Sequence, residues 1–159
     1  MPRVLIIGYG NSLRGDDGAG WQIARALLET NADAEIEIVA CHQLTPELAE
    51  PLSRAQRAIF VDAVADAARA GVAVEKIFAA DPAAPTCSHH VTPAVLLDNA
   101  RVWYGAMPRD AFLISLCARA LGFGERVSNE MARDIPRALA EIAKLCARRD
   151  ERDSVLTDE

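Results

Sequence analysis

The stretch that decides the fold is Met1 to Gly20, which reads MPRVLIIGYGNSLRGDDGAG. Val4 to Ile7 form a compact apolar run, which is typical of a strand buried on both faces of a sheet. Two glycines interrupt the run, and the adjacent carboxylates Asp16 and Asp17 follow, before a segment with apolar residues at helical spacing. The stretch therefore predicts a buried strand, a glycine turn that carries acids, and a helix.

The rest of the chain continues this alternation of strands and helices. Apolar patterns predict strands at 35–40, 58–63, 72–78 and 112–117, and the first helix at 17–28. Thr45-Pro46 and Thr92-Pro93 predict two further helix starts, and Ser128 predicts the cap of a last helix that contains Pro136. The fold class is therefore α/β, a three-layer sandwich with a mostly parallel five-stranded sheet and helices on both faces. We expect one domain at 1–147 and a charged, disordered tail at 148–159.

Composition excludes several classes of function. The chain has 159 residues, is 51% hydrophobic and has a formal charge of −6, which disfavours a nucleic acid or an anionic membrane as the main partner. The sequence shows neither a secretory leader nor an apolar run long enough to cross a membrane, so we expect a cytoplasmic protein. Its four cysteines form no CxxC pair and are expected to be reduced.

Nucleotide and nucleophile motifs are incomplete. The pattern GxGxxG fails because Leu13 stands in place of the third glycine, and the second strand ends at Ala40-Cys41 without an acid for a ribose. A Walker A lysine and a GxSxG elbow are both missing. Cys87 has no basic neighbour in sequence that would activate its thiol.

Three acidic or imidazole positions are expected to meet at one edge of the sheet. One of Asp16 and Asp17 caps the first helix while the other faces a cleft, Asp62 ends the third strand, and His89 or His90 follows the fourth. The carboxyl ends of the strands are where open α/β sheets place their sites. These residues therefore predict a cleft that contains two carboxylates and one histidine.

Two carboxylates and an imidazole suit a borderline divalent metal such as nickel, zinc or cobalt, with positions left open for an outside ligand. His42 follows the second strand and is a spare ligand or part of the cleft wall.

Several segments resemble the hydrogenase maturation proteases over nearly the full length of the chain. They are GYGNSL at 8–13 with DDGAG at 16–20, FVDA at 60–63, SH at 88–89 with TP at 92–93 and LL at 96–97, YG at 104–105, and GE and VS at 124–128. The resemblance implies a phosphorylase/hydrolase-like fold. It also implies an endopeptidase that removes the C-terminal extension of a [NiFe]-hydrogenase large-subunit precursor once nickel has been inserted.

The same resemblance carries the family's metal ligands onto Asp17, Asp62 and His89, with Asp16 as a structural neighbour. A shift of one residue would put His90 in the place of His89. Nickel is then supplied by the substrate, no nucleotide or organic cofactor is needed, and the protein is expected to act as a monomer on the precursor. The glycines of the first turn are interpreted as letting a substrate backbone or metal come close.

Two mechanistic questions stay open in the sequence. The general base is either a carboxylate or a metal-bound water, and the metal either polarises the scissile carbonyl or only anchors the substrate. The alternative function is a non-catalytic metal-binding maturation factor that docks on the large subunit, because the chain has no standard protease nucleophile.

Overall fold

The structure is a computed structural model that describes residues 2–65, 71–83 and 90–148. Five strands form one sheet in the order β2-β1-β3-β5-β4. Neighbours are parallel except that β4 runs antiparallel to β5. The strands are β1 (Val4–Tyr9), β2 (Ile36–Cys41), β3 (Arg57–Val64), β4 (Val72–Ile77) and β5 (Asp110–Cys117). The mostly parallel five-stranded sheet predicted from the sequence is confirmed.

Four helices cover the two faces of this sheet. They are α1 (Ala19–Thr30), α2 (Ala49–Arg54), α3 (Pro93–Tyr104) and α4 (Asn129–Ala147). Alternate strand residues point to opposite faces, so Ile6 packs with α1 and α4 while Ile7 packs with α2 and α3. Two apolar layers thus enclose the sheet, and the predicted three-layer sandwich is confirmed.

The helix starts differ from the predictions in two places. Gly15–Gly18 forms a 3₁₀ turn, so α1 begins at Ala19 and both acids of the turn precede it. Thr45 makes no capping hydrogen bond, because its hydroxyl interacts with the Glu47 carboxylate, and Pro46–Leu48 is again a 3₁₀ turn. The other two predicted caps are present: Val95 N donates to Thr92 Oγ1 at 3.2 Å, and Met131 N donates to Ser128 Oγ at 3.2 Å.

The last helix is fixed at both ends. It continues through Pro136, and its final carbonyls accept hydrogen bonds from two arginines at the amino edge of the sheet. Arg3 Nη1 donates to Cys146 O at 2.7 Å, and Arg57 Nη1 donates to Leu145 O at 2.8 Å. Cationic donors at a helix C-terminus also interact favourably with the helix dipole. The predicted tail lies, apart from Arg148, outside the described residues.

None of the helices in the described ranges is both long and apolar enough to cross a bilayer.

Candidate functional site

The glycines of the first turn allow the chain's own backbone to pack closely. A Cβ on Gly8 would lie 2.1 Å from Gly20 O, and one on Gly20 would lie 2.3 Å from Val61 O. Gly10 has a φ of 143°, and a Cβ there would lie 1.9 Å from Asp17 O. Protein backbone therefore fills the space beside Gly8 and Gly20, whereas Gly10 also lines the cleft. These glycines place the acidic turn directly against the ends of β1 and β3.

Asp16 is completely buried and joins three parts of the chain. Its Oδ2 accepts hydrogen bonds from Arg119 N at 2.7 Å, Ala120 N at 3.0 Å and Ser128 Oγ at 2.7 Å, and its Oδ1 accepts one from Ser128 N at 2.6 Å. Burial opposes ionisation of this carboxyl group, but these donors favour the carboxylate, and the net effect is a lowered pKa. Asp16 therefore acts at the start of α4 and the loop before it, and not as the cap of α1.

Asp17 belongs to the same turn but faces the cleft. Its Oδ2 accepts a hydrogen bond from Asn11 N at 3.1 Å, and its side chain is only partly buried. It lines the cleft together with Gly10. The two adjacent acids therefore have different surroundings: Asp16 is enclosed by the loop before α4, and Asp17 lines the cleft.

Asp62 lies near the carboxyl end of β3, on the face that α2 and α3 cover. Its pKa is raised to about 6, mainly by burial and in part by the nearby negative charge of Asp17, although hydrogen bonds from Tyr9 and from the backbone of Ala63 act in the opposite direction. The two carboxylates are therefore close enough for one charge to act on the other. Close carboxylates that are partly buried favour the binding of a cation.

Tyr9 is a site residue that the sequence analysis missed. It ends β1, where β1 and β3 are paired in register, and its ring packs against the apolar layer under α2 and α3. Burial and the neighbouring Asp62 raise the pKa of its phenol, which is therefore a neutral hydrogen-bond donor to the Asp62 carboxylate. The signal was available in the alternation of β1, since Leu5, Ile7 and Tyr9 share one face.

These residues line a cleft of about 530 Å³ at the carboxyl edge of the sheet. Besides Tyr9, Asp17 and Asp62, its walls include His42 and His90. The His42 ring lies 5.8 Å from the Trp21 ring, centroid to centroid, so it is held as part of the wall. The structure thus brings together two of the three predicted ligand positions, and it places His90 at the same cleft.

His89, the third predicted ligand, lies outside the described residues, as does Cys87. Within the described part of the chain, no group of three or more His, Cys, Asp or Glu side chains is arranged to hold a metal ion. Asp17, Asp62 and His90 line the same cleft, and carboxylate and imidazole are ligand types that borderline metals accept, but these three side chains do not form such a group in the structure. The three-residue ligand set stays a prediction.

Cys41, at the end of β2, is not activated. Cys41 ends β2 beside Tyr9, and burial raises the pKa of its thiol. A thiol is a poor nucleophile until it is ionised. The described side chains of the cleft therefore favour chemistry by carboxylates over a cysteine nucleophile.

Comparison with known proteins shows which solved structures share the fold of this chain. No protein-family model matches the chain, and a comparison with curated proteins finds no match. Among solved structures, the chain is similar to the [NiFe]-hydrogenase maturation protease HycI from Thermococcus kodakarensis KOD1, with 22% identity, 92% of this chain and 93% of that chain covered, and a TM-score of 0.69.

The hydrogenase maturating endopeptidase HybD from E. coli is similar as well, with 21% identity, 91% of this chain and 92% of that chain covered, and a TM-score of 0.71. The hydrogenase 2 maturation peptidase from a Thaumarchaeota archaeon has 21% identity, 91% and 97% coverage, and a TM-score of 0.67. These matches agree with the resemblance found in the sequence. The chain has the fold of the hydrogenase maturation proteases.

Proposed function

We propose that this protein is an endopeptidase that removes the C-terminal extension of a [NiFe]-hydrogenase large-subunit precursor after nickel insertion. The observation that carries the proposal is the pair Asp17 and Asp62, which line one cleft of a chain with the maturation-protease fold. The sequence motifs that resemble this family contain both residues. The protein would act in the cytoplasm, as a monomer, on the large-subunit precursor.

In this proposal the nickel that the substrate already carries is the feature that the cleft recognises. Asp17 and Asp62 provide oxygen ligands, and His89, or His90 after a shift of one residue, provides nitrogen. The raised pKa of Asp62 supports this role, because a cation beside the buried carboxyl group would offset the burial and the charge of Asp17.

Cleavage requires that water attack the scissile carbonyl, that its proton be accepted, and that this proton pass to the departing amine as the C–N bond breaks. Each carboxylate has two oxygens, so one can contact nickel while the other accepts the proton. Before the substrate's metal enters the cleft, a pKa of about 6 leaves Asp62 mostly ionised at neutral pH, and only this ionised form can accept a proton. The chain's own contribution is therefore to orient the two carboxylates.

The test is incubation of the purified protein with the nickel-loaded precursor under reducing conditions, followed by mass spectrometry of the large subunit. We expect one shortened product from the nickel-loaded precursor and none from the metal-free precursor. Asp17→Asn, Asp62→Asn and His89→Ala should each abolish processing while circular dichroism shows an intact fold. Loss of activity in His90→Ala instead of His89→Ala would assign the nitrogen ligand to His90.

A second outcome would support the alternative function. If the protein binds the nickel-loaded precursor without shortening it, while a hydrogenase maturation protease of known activity shortens its own precursor under the same conditions, the endopeptidase proposal is wrong. The protein would then be a non-catalytic metal-binding maturation factor.

A further inference from the structure

Three exposed apolar side chains lie on the turn that carries Asp17 and on the loop that is hydrogen-bonded to this turn, and they have no role in the chemistry proposed above. Leu13, Leu121 and Phe123 are 54%, 39% and 101% exposed, and we call these three residues the apolar rim. Leu13 belongs to the turn that carries Asp17, whereas the other two belong to the loop between β5 and α4.

The two segments of the rim are joined by backbone hydrogen bonds. Gly124 N donates to Leu13 O at 2.8 Å, Gly15 N donates to Gly124 O at 2.9 Å, and Asp16 N donates to Ala120 O at 2.8 Å. The buried Asp16 carboxylate adds its own bonds to the same loop. The apolar side chains are therefore presented from a fixed base, which lowers the entropy cost of binding a partner.

Most of the exposed charged side chains around the rim are positive, although the turn also carries Asp16, which is buried, and Asp17, which faces the cleft. The same two segments contain three exposed arginines, Arg14, Arg119 and Arg126, and one exposed glutamate, Glu125, although the protein has a formal charge of −6. Aromatic and arginine side chains are the types that contribute most of the energy at protein interfaces. A partner surface with apolar residues flanked by carboxylates is complementary to this arrangement.

We propose that the apolar rim docks the protein substrate through an apolar surface flanked by acidic residues, while the substrate's metal enters the cleft. This inference rests on the proposed function, because it assigns the occupant of the rim to the same large-subunit precursor. Leu13 and Asp17 belong to the same turn, so docking at the rim positions the substrate relative to the proposed metal ligands. The rim contributes to binding and the cleft contributes the chemistry.

The experiment measures kcat and KM for the nickel-loaded precursor and, in parallel, its binding to the immobilised protein. Phe123→Ser should raise KM and weaken binding by about tenfold to a hundredfold, and it should leave kcat unchanged. This factor corresponds to the free energy of burying one phenylalanine side chain completely. Arg14→Glu should raise KM several-fold, and this effect should shrink as salt is added.

The matched control is Phe78→Ser. Phe78 is 70% exposed and follows β4 at the opposite edge of the sheet, where Ile77 pairs with Ala111 near the start of β5. We expect this variant to keep the wild-type KM and kcat. Circular dichroism and thermal unfolding of all three variants should match the wild type, because the substituted side chains are exposed.

The outcomes separate the two proposals. Wild-type KM and binding in Phe123→Ser would overturn the docking inference and leave the endopeptidase proposal standing. Binding that depends on Phe123 without any cleavage would overturn the endopeptidase proposal and support docking. A dimer of the wild type that Phe123→Ser converts to a monomer, with an unchanged KM, would show that the rim joins two copies of the chain, and would also overturn the inference.

Discussion

Asp62→Asn is expected to make the protein more stable at neutral pH while it abolishes processing. The carboxyl group of Asp62 is harder to ionise in the folded protein than in the unfolded chain, since burial and the charge of Asp17 act against its charged form. Folding at neutral pH therefore includes a cost that an uncharged amide of the same size avoids. Asparagine also keeps an oxygen that can accept the hydrogen bond of Tyr9.

The magnitude follows from the shift of the Asp62 pKa from 3.8 to about 6. Each pKa unit corresponds to about 1.4 kcal/mol, so the cost in the folded state has an upper value of about 3 kcal/mol. The new amide N–H groups need partners of their own, and we expect a net gain in the free energy of unfolding of about 1 to 2 kcal/mol.

The sign of the pH dependence can be worked out from the same shift. Between about pH 4 and pH 6 the folded protein binds more protons at Asp62 than the unfolded chain does, so this group's contribution to stability falls as the pH rises. The wild type and Asp62→Asn should therefore be most similar in stability near pH 4. Their difference should grow up to about pH 6 and remain constant above it.

The assay is urea denaturation of both proteins from pH 4 to pH 8, followed by fluorescence. Asp81→Asn is the control, because Asp81 is exposed and its asparagine variant can still accept the hydrogen bond from Ala83 N. The reasoning is refuted if Asp62→Asn is less stable than the wild type at pH 7, or if the difference between them does not change with pH.

Three further substitutions test the packing around the site by urea denaturation. Gly20→Ala should lower the free energy of unfolding by at least about 3 kcal/mol, because its Cβ meets backbone oxygens, whereas Gly122→Ala, with nothing within 4 Å, should stay within about 0.5 kcal/mol of the wild type. Asp16→Asn should lower the free energy of unfolding by about 3 kcal/mol, since an amide cannot accept all the hydrogen bonds that Asp16 accepts. The variant should also lose less stability at acid pH than the wild type does. Equal stability of the two proteins would contradict the structural role of Asp16. Arg57→Met should cost about 2 kcal/mol and increase amide exchange in the last turn of α4; unchanged exchange there would contradict the role of the guanidinium.

The fold could be predicted from the sequence because its strands and helices have different apolar periods. The runs at 4–7 and 58–61 are apolar on both faces, which a buried parallel strand requires, and β4 is charged where it lies at the edge. The geometry of the loops was harder to predict from the sequence. The start of α1 was misplaced by two residues, because a 3₁₀ turn and an α-helix both accept acids near their N-termini.

The site was only partly predictable for a physical reason. Topology predicts that an acid after β1 and Asp62 meet, because the ends of neighbouring parallel strands lie at one edge, and the family resemblance assigns the first acid to Asp17. The hydrogen-bond partners of Asp16 lie more than 100 positions away in sequence, at Arg119, Ala120 and Ser128. A local sequence pattern does not extend that far and therefore cannot predict them. Long-range hydrogen bonds of this kind depend on the packing of α4, which the sequence specifies only through the fold as a whole.

The different surroundings of the acids suggest how the protein would select its substrate under the proposed function. Asp16 receives four hydrogen bonds and is stable as a carboxylate without any ligand, whereas burial and the negative charge of Asp17 both disfavour the ionised form of Asp62. A cation in the cleft would offset both effects at once, but a precursor that lacks nickel brings no such charge. The unfavourable free energy of two close carboxylates in a partly buried cleft is then offset only when the substrate already carries the metal. Discrimination between the loaded and the metal-free precursor would thus follow from the electrostatics of the cleft.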